Sequence, residues 1–128
     1  SGDLAKAKQY ANQLLSAAEH FRGDWNYGNA IYTGNEVLGD AALSEGDVAA
    51  AKSYLLAAAK TPGSPVLDSF GPNMTLARDL LAKGERETVL KYFDLCSNFW
   101  EDGRDKLKSW KQLVKDGGTP DFGANLDY

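Results

Sequence analysis

Apolar residues recur along most of this chain at steps of three and four, the spacing of one face of an α-helix. Leu4, Ala7, Ala11, Leu14 and Ala18 predict a first helix from about Asp3 to Glu19, with Asp3 as its N-cap. An aromatic-rich connection over 20–28 precedes a second helix, about 29–44, patterned by Ile31, Gly34, Leu38 and Ala41. Glu45-Gly46-Asp47 reads as a tight turn in which Gly46 is the left-handed stop and Asp47 caps the next helix. That third helix runs to about Lys60 on Val48, Ala51, Leu55 and Ala58. Residues 61–71 carry two prolines and two glycines and are not helical throughout. Pro72 suits the first turn of a fourth helix that carries Leu76, Ala77, Leu80 and Leu81 to Lys83. A fifth, aromatic helix spans about 85–101, with Gly103 kinking or ending it. A sixth spans about 104–115 on Leu107, Trp110 and Val114. The tail, 116–128, is irregular. Its Phe122, Leu126 and Tyr128 are too apolar for a loose end and are expected to dock between helices five and six or in a groove. No segment alternates with period two, so the chain is expected to be all-α: six helices and an ordered tail.

One block of this pattern repeats. Gly2-Asp3-Leu4-Ala5-Lys6-Ala7-Lys8-Gln9-Tyr10 returns 44 residues later as Gly46-Asp47-Val48-Ala49-Ala50-Ala51-Lys52-Ser53-Tyr54. A weaker copy, Gly84-Glu85-Arg86-Glu87-Thr88-Val89-Leu90-Lys91-Tyr92, follows after another 38. Repeats of this length are single supersecondary units that bury their apolar faces only by stacking, so stacked antiparallel helix hairpins are expected in one domain.

The periodic residues resemble the tetratricopeptide-repeat family. Leu38 and Gly39 match its opening pair, Gly46 the turn, Ala51 and Ala58 the small positions, and Leu55 the aromatic position; Pro62 comes one residue early. The next unit matches at Leu76, Ala77, Leu80, Gly84, Phe93 and Cys96, with Val89 where alanine is usual. The resemblance implies a half repeat over 2–20, repeats over 29–62 and 72–100, a capping helix over 104–115 and the tail 116–128. It implies a concave groove on helices 29–44 and 72–83 that holds an extended peptide, with Thr33, Glu36, Asp40, Arg78 and Leu81 facing it. Relatives that bind chaperone tails use lysine and asparagine there. Glu36 and Asp40 have the opposite sign, so this groove is expected to prefer a basic or neutral segment.

A second pattern, aromatic-Gly-small-Asn-apolar, occurs as Phe70-Gly71-Pro72-Asn73-Met74 and as Phe122-Gly123-Ala124-Asn125-Leu126. Tyr27-Gly28-Asn29-Ala30-Ile31 is a shortened relative. Glycine permits a bend, the ring covers an apolar gap, and an asparagine amide satisfies backbone groups, so three structural corners are the ordinary reading. The sharper reading gathers Asn26, Asn29, Asn73 and Asn125 into one polar ligand site walled by Trp25 and Tyr27.

Composition narrows the function without naming it. The chain has 128 residues, a net charge of −4, 43% hydrophobic and 25% charged residues, so neither a dense phosphate-binding surface nor a nucleic-acid partner is expected. Cys96 is the only cysteine and His20 the only histidine, so no internal disulfide, thiolate zinc site or histidine-based triad is expected. Cys96 falls in a helical apolar stripe and reads as core. No phosphate loop, calcium loop or acid–base carboxylate pair stands out, so no enzyme, metal or cofactor is expected. Arg104, Lys108, Lys111 and Lys115 share one stripe of the sixth helix; a solvated face is the ordinary reading and an anionic docking surface the sharper one. No run of 18 apolar residues spans a membrane. The chain starts with Ser1, so a trimmed native N-terminus is expected; a cytoplasmic location is expected, with export open. The expected function is a protein- or peptide-binding scaffold. The alternatives are a structural part of a larger helical array and a small-ligand binder built on the Trp25, Asn29 and Asn73 corners; an exposed helix one also leaves a homo-oligomer open.

Overall fold

The structure, a computed structural model, describes residues 2–21 and 26–126. Every regular element among them is helical. The α-helices are α1 (Gly2–Ala18), α2 (Asn26–Ser44), α3 (Val48–Ala59), α4 (Pro65–Ser69), α5 (Thr75–Ala82), α6 (Arg86–Cys96) and α7 (Arg104–Lys115). Short 3₁₀ turns lie at Glu19–Phe21, Glu101–Gly103 and Gly123–Leu126. None of these helices is long and apolar enough to cross a membrane.

Three helices end in the same way, and the ending is chemical. At the end of α2, Asp47 N–H donates to Ala42 O and Gly46 N–H to Leu43 O, with Gly46 at φ 83°. The end of α5 repeats this with Glu85 to Leu80, Gly84 to Leu81 and φ 86° at Gly84. α7 repeats it again with Gly118 to Leu113, Gly117 to Val114 and φ 91° at Gly117. Each is a Schellman motif, in which a left-handed glycine lets two terminal carbonyls find donors and turns the chain back. Asp47 then accepts from Ala50 N–H at 3.0 Å and caps α3, as its place after Gly46 predicts.

α2 packs against both α1 and α3, and α6 packs against α3, α5 and α7. Between them lies one continuous core that includes Leu55 of α3, Leu76 and Leu80 of α5, Val89 and Phe93 of α6, and Leu107, Trp110 and Val114 of α7. Cys96 is free and fully buried within it.

Three expectations are corrected: the number of helices, the start of α5 and the end of α6. The connection over 61–71 contains a helix, α4, because Ser64 accepts from Leu67 N–H and Pro65 occupies the first turn. This gives seven α-helices among the described residues rather than six. α5 starts at Thr75, after Asn73 rather than Pro72, since the Asn73 side chain accepts from Thr75 N–H at 2.8 Å. α6 stops at Cys96, five residues before its expected end. The reason for that stop is Trp100. Its ring fills a slot between Gly71 and Gly103, where an added Cβ would come within 2.4 and 2.1 Å of it, and its indole N–H donates to Ser69 O at 3.4 Å. A straight continuation of α6 could not place the indole there.

The tail docks as expected for its central part. Phe122 is buried, edge-on to Trp110 at 5.0 Å between ring centroids and 6.2 Å from Phe93. It therefore seals the seam between α6 and α7. Tyr128, expected to dock with it, lies outside the described residues, as does the side chain of Asp3, expected to cap α1.

Candidate functional site

A cleft of about 530 Å³ opens between α2, α4 and the start of α5. One wall is a single stripe of α2: Asn29, Tyr32, Thr33, Glu36, Val37 and Asp40, spaced three and four apart so that they share a face. Val66 and Leu67 of α4 form the opposite wall, Asn73 and Thr75 one end, and Leu126 of the tail closes it. In the sequence the groove and the polar corner are separate patterns. The fold merges them, since Thr33, Glu36 and Asp40 from the one and Asn29 and Asn73 from the other line the same space.

Not every expected residue joins it. Leu81 follows Ala77 by four residues and so lies on the buried stripe of α5, 4% exposed and within the core. Arg78 is exposed and pairs with its neighbour Asp79 at 3.2 Å instead of lining the cleft. Asn125 is fully occupied as a structural strut: its side-chain amide donates to Phe70 O at 3.2 Å and Pro72 O at 3.1 Å. Its own carbonyl accepts from Met74 N–H at 2.8 Å. The two aromatic-Gly-small-Asn-apolar segments are thus bonded to each other. Asn29 also has a structural bond, from Ser64 Oγ at 2.5 Å. Tyr27 is half-buried and does not line the cleft. Trp25 and the Asn26 side chain lie outside the described residues.

What the sequence does not disclose is the depth of Glu36. Its residue is 7% exposed, the one buried carboxylate among the described residues. Burial pushes its pKa up to about 8; the nearby Asp40 charge adds to the rise and the Tyr32 hydrogen bond opposes it. Asp40 stands at the mouth and is exposed as a residue. Its carboxyl is nonetheless raised to about 6, first by partial desolvation and then by Asp79.

Glu36 belongs to a compact hydroxyl network. The Tyr32 hydroxyl lies 2.5 Å from Glu36 Oε1 and 2.7 Å from Asn73 O, and it also contacts the Tyr92 hydroxyl. Tyr92 lies 3.4 Å from Asn73 O. A hydroxyl owns one hydrogen and can donate to only one acceptor at a time. When Tyr32 donates to the Asn73 carbonyl, its contact with Glu36 is a hydrogen bond only if the carboxyl carries a proton. When Glu36 is ionised, Tyr32 turns to it, and Asn73 O is left to the longer bond from Tyr92. Both phenols are pushed well above their ordinary pKa, by burial first, and so stay protonated.

Two further surfaces stand out in the sequence. On α7, Arg104 donates to Ser97 O at 3.0 Å and Lys111 pairs with Asp94, so half of the basic stripe is tied to α6. On α1, Tyr10 is 54% exposed. No group of residues able to hold a metal ion occurs among the described residues. Comparison with protein-family models, curated proteins and solved structures finds no match to this chain. The functional reading therefore rests on the cleft itself.

Proposed function

We propose that this chain is a protein- or peptide-binding scaffold of the tetratricopeptide-like type, with the α2–α4–α5 cleft as its recognition site. In this reading α2 with α3 and α5 with α6 are two successive hairpins, α1 is the second helix of a preceding half unit, and α7 with the tail caps the stack. The identical glycine endings of α2 and α5 support that correspondence. The observation that carries the function is the makeup of the cleft's border. Val66 is 48% exposed on the wall that shares the cleft with the acidic stripe of α2, and Phe70, at the end of α4 one turn after Val66 and next to the lining residue Gly71, is 63% exposed. Exposed large apolar residues around a concave, acid-bearing site are the composition of a docking surface rather than of a solvated face. A volume of about 530 Å³ takes one or two side chains of an extended segment, not a folded domain.

Selection of binders from a random peptide library tests the proposal. Thr33 is an exposed cleft residue, and Thr33→Trp should fill the space without entering the core. Selected peptides are expected to bind the parent protein and to lose at least tenfold affinity for the variant, with unchanged helicity. Equal affinity for both proteins, or no binders at all, defeats the proposal.

A further inference from the structure

Resting on the reading of the cleft as a peptide site, we propose that it recognises a protonated primary amine, the lysine side chain of the bound segment, with Glu36 as the counter-charge and Asp40 at the entrance. Three features of the cleft select that group. The first is sign. The lining holds two carboxyl groups and no lysine, arginine or histidine. The groups facing Glu36 are Tyr32 and Asp40 from its own helix and Tyr92 and Cys96 from α6, none of them cationic, while Asp79 of α5 acts on Asp40. A buried carboxylate without a cation is costly to ionise, and an incoming ammonium supplies the missing partner.

The second feature is shape. Glu36 and Asp40 are one helical turn apart, an axial separation of about 6 Å, so a cation entering past Asp40 reaches Glu36 without leaving the acidic stripe. Val37, Val66, Leu67 and Leu126 flank that path, which suits the four methylenes of a lysine stem.

The third feature separates lysine from arginine. Once Glu36 is ionised, the Tyr32 hydroxyl, 2.5 Å away, donates to Oε1, so a forked guanidinium would have to share that oxygen with Tyr32 and loses part of the advantage that the fork gives arginine. An ammonium needs one oxygen and can turn its remaining hydrogens to the hydroxyls of Thr33 or Thr75, both on the lining.

The binding step is an exchange that balances. The ligand enters as R–NH₃⁺, Glu36 gives its proton to solvent and becomes the carboxylate, and the Tyr32 hydrogen moves from the Asn73 carbonyl to Glu36. Binding therefore releases a proton near neutral pH, where the free site holds Glu36 protonated.

The experiment uses peptides selected on the parent protein and three capped amino-acid probes: Nα-acetyl-lysine methylamide and its arginine and norleucine counterparts. Amide shifts over residues 33–40 report occupancy, and calorimetry in two buffers of different ionisation enthalpy counts protons. The lysine probe is expected to bind at least tenfold tighter than either counterpart, with release of about one proton at pH 7. Glu36→Gln should bring it down to the norleucine level and abolish proton release. In the selected peptides, one Lys→norleucine change should cost at least tenfold. Equal binding of norleucine, a preference for arginine, or selected peptides indifferent to lysine overturns the amine proposal and leaves the peptide site standing. Absence of binding by probes and peptides alike removes both.

Discussion

The Asn125 side-chain amide donates to the carbonyl oxygen of Pro72 at 3.1 Å, across 53 residues of sequence. With a second bond to Phe70 O and the return bond from Met74 N–H to Asn125 O, it makes the tail a backbone partner for the corner that begins α5. That corner presents Asn73 and Thr75 to the cleft, and Leu126 beside Asn125 closes it. The tail thus belongs to the wall of the site as well as to the core.

Asn125→Ala is expected to destabilise the protein by about 2–3 kcal/mol, because two carbonyls lose their donor in a place where Asn125 itself is 2% exposed. Urea denaturation measures it. A loss below about 0.5 kcal/mol would mean that water replaces the amide freely and that the strut has no structural weight.

Two left-handed glycines separate backbone strain from packing. At Gly84, φ 86°, an added Cβ would meet nothing within 4 Å, so Gly84→Ala should cost only the left-handed penalty of about 1–2 kcal/mol. Gly71 has the same φ, but its Cβ would come 2.4 Å from the Trp100 ring. Gly71→Ala is therefore expected to cost at least about 2 kcal/mol more and to alter tryptophan fluorescence. Equal losses at the two sites would show that Trp100 shifts aside easily.

The fold is largely legible in the chain because its punctuation is local. Gly46 and Gly84 stop helices through their own backbone freedom, and the apolar stripes of α5 and α7 announce their buried faces. The stripe of α7 gives its observed bounds, Arg104–Lys115. Gly117 does not stand out as a third helix stop because Gly118 follows it inside a stretch without periodicity. The site is less legible, for a physical reason. A glutamate in a helix reads as solvated, and only Tyr92 and Asn73, distant in sequence and joined to Glu36 through the Tyr32 hydroxyl, reveal that it is enclosed. Leu81 and Arg78 are misplaced when their register is taken from a resemblance rather than from the stripe that Ala77 and Leu81 form together.

Arg86, the first residue of α6, donates to Val114 O, Gly118 O and Gly117 O at 3.2, 3.4 and 3.1 Å. It brings a cation to the carbonyl end of α7, where the helix dipole favours positive charge. Arg86→Ala is expected to cost about 1–2 kcal/mol and to speed hydrogen exchange in the last turn of α7 more than elsewhere. Arg86→Lys should recover part of the stability, since it keeps the charge but loses the fork. A uniform exchange increase across the chain would count against a local capping role.

Glu36 also sets how stability depends on pH. Its pKa is about 8 in the folded protein against about 4.5 when unfolded, so the folded state holds the extra proton between those values. Unfolding then releases a proton, and stability declines as pH rises across that window, being largest below about 4.5. The slope from this one group approaches about 1.4 kcal/mol per pH unit near the middle of the window. Asp40, raised to about 6, adds a smaller decline of the same sign at lower pH, softened by its exposure. Glu36→Gln keeps a neutral hydrogen-bonding group beside Tyr32 and cannot ionise. Urea unfolding at pH 5, 6, 7 and 8 should therefore show the variant overtaking the parent protein as pH rises, with the gap widening toward pH 8. Parallel curves would mean that Glu36 ionises in the fold as readily as in the open chain, and that the cleft holds a carboxylate already satisfied by water.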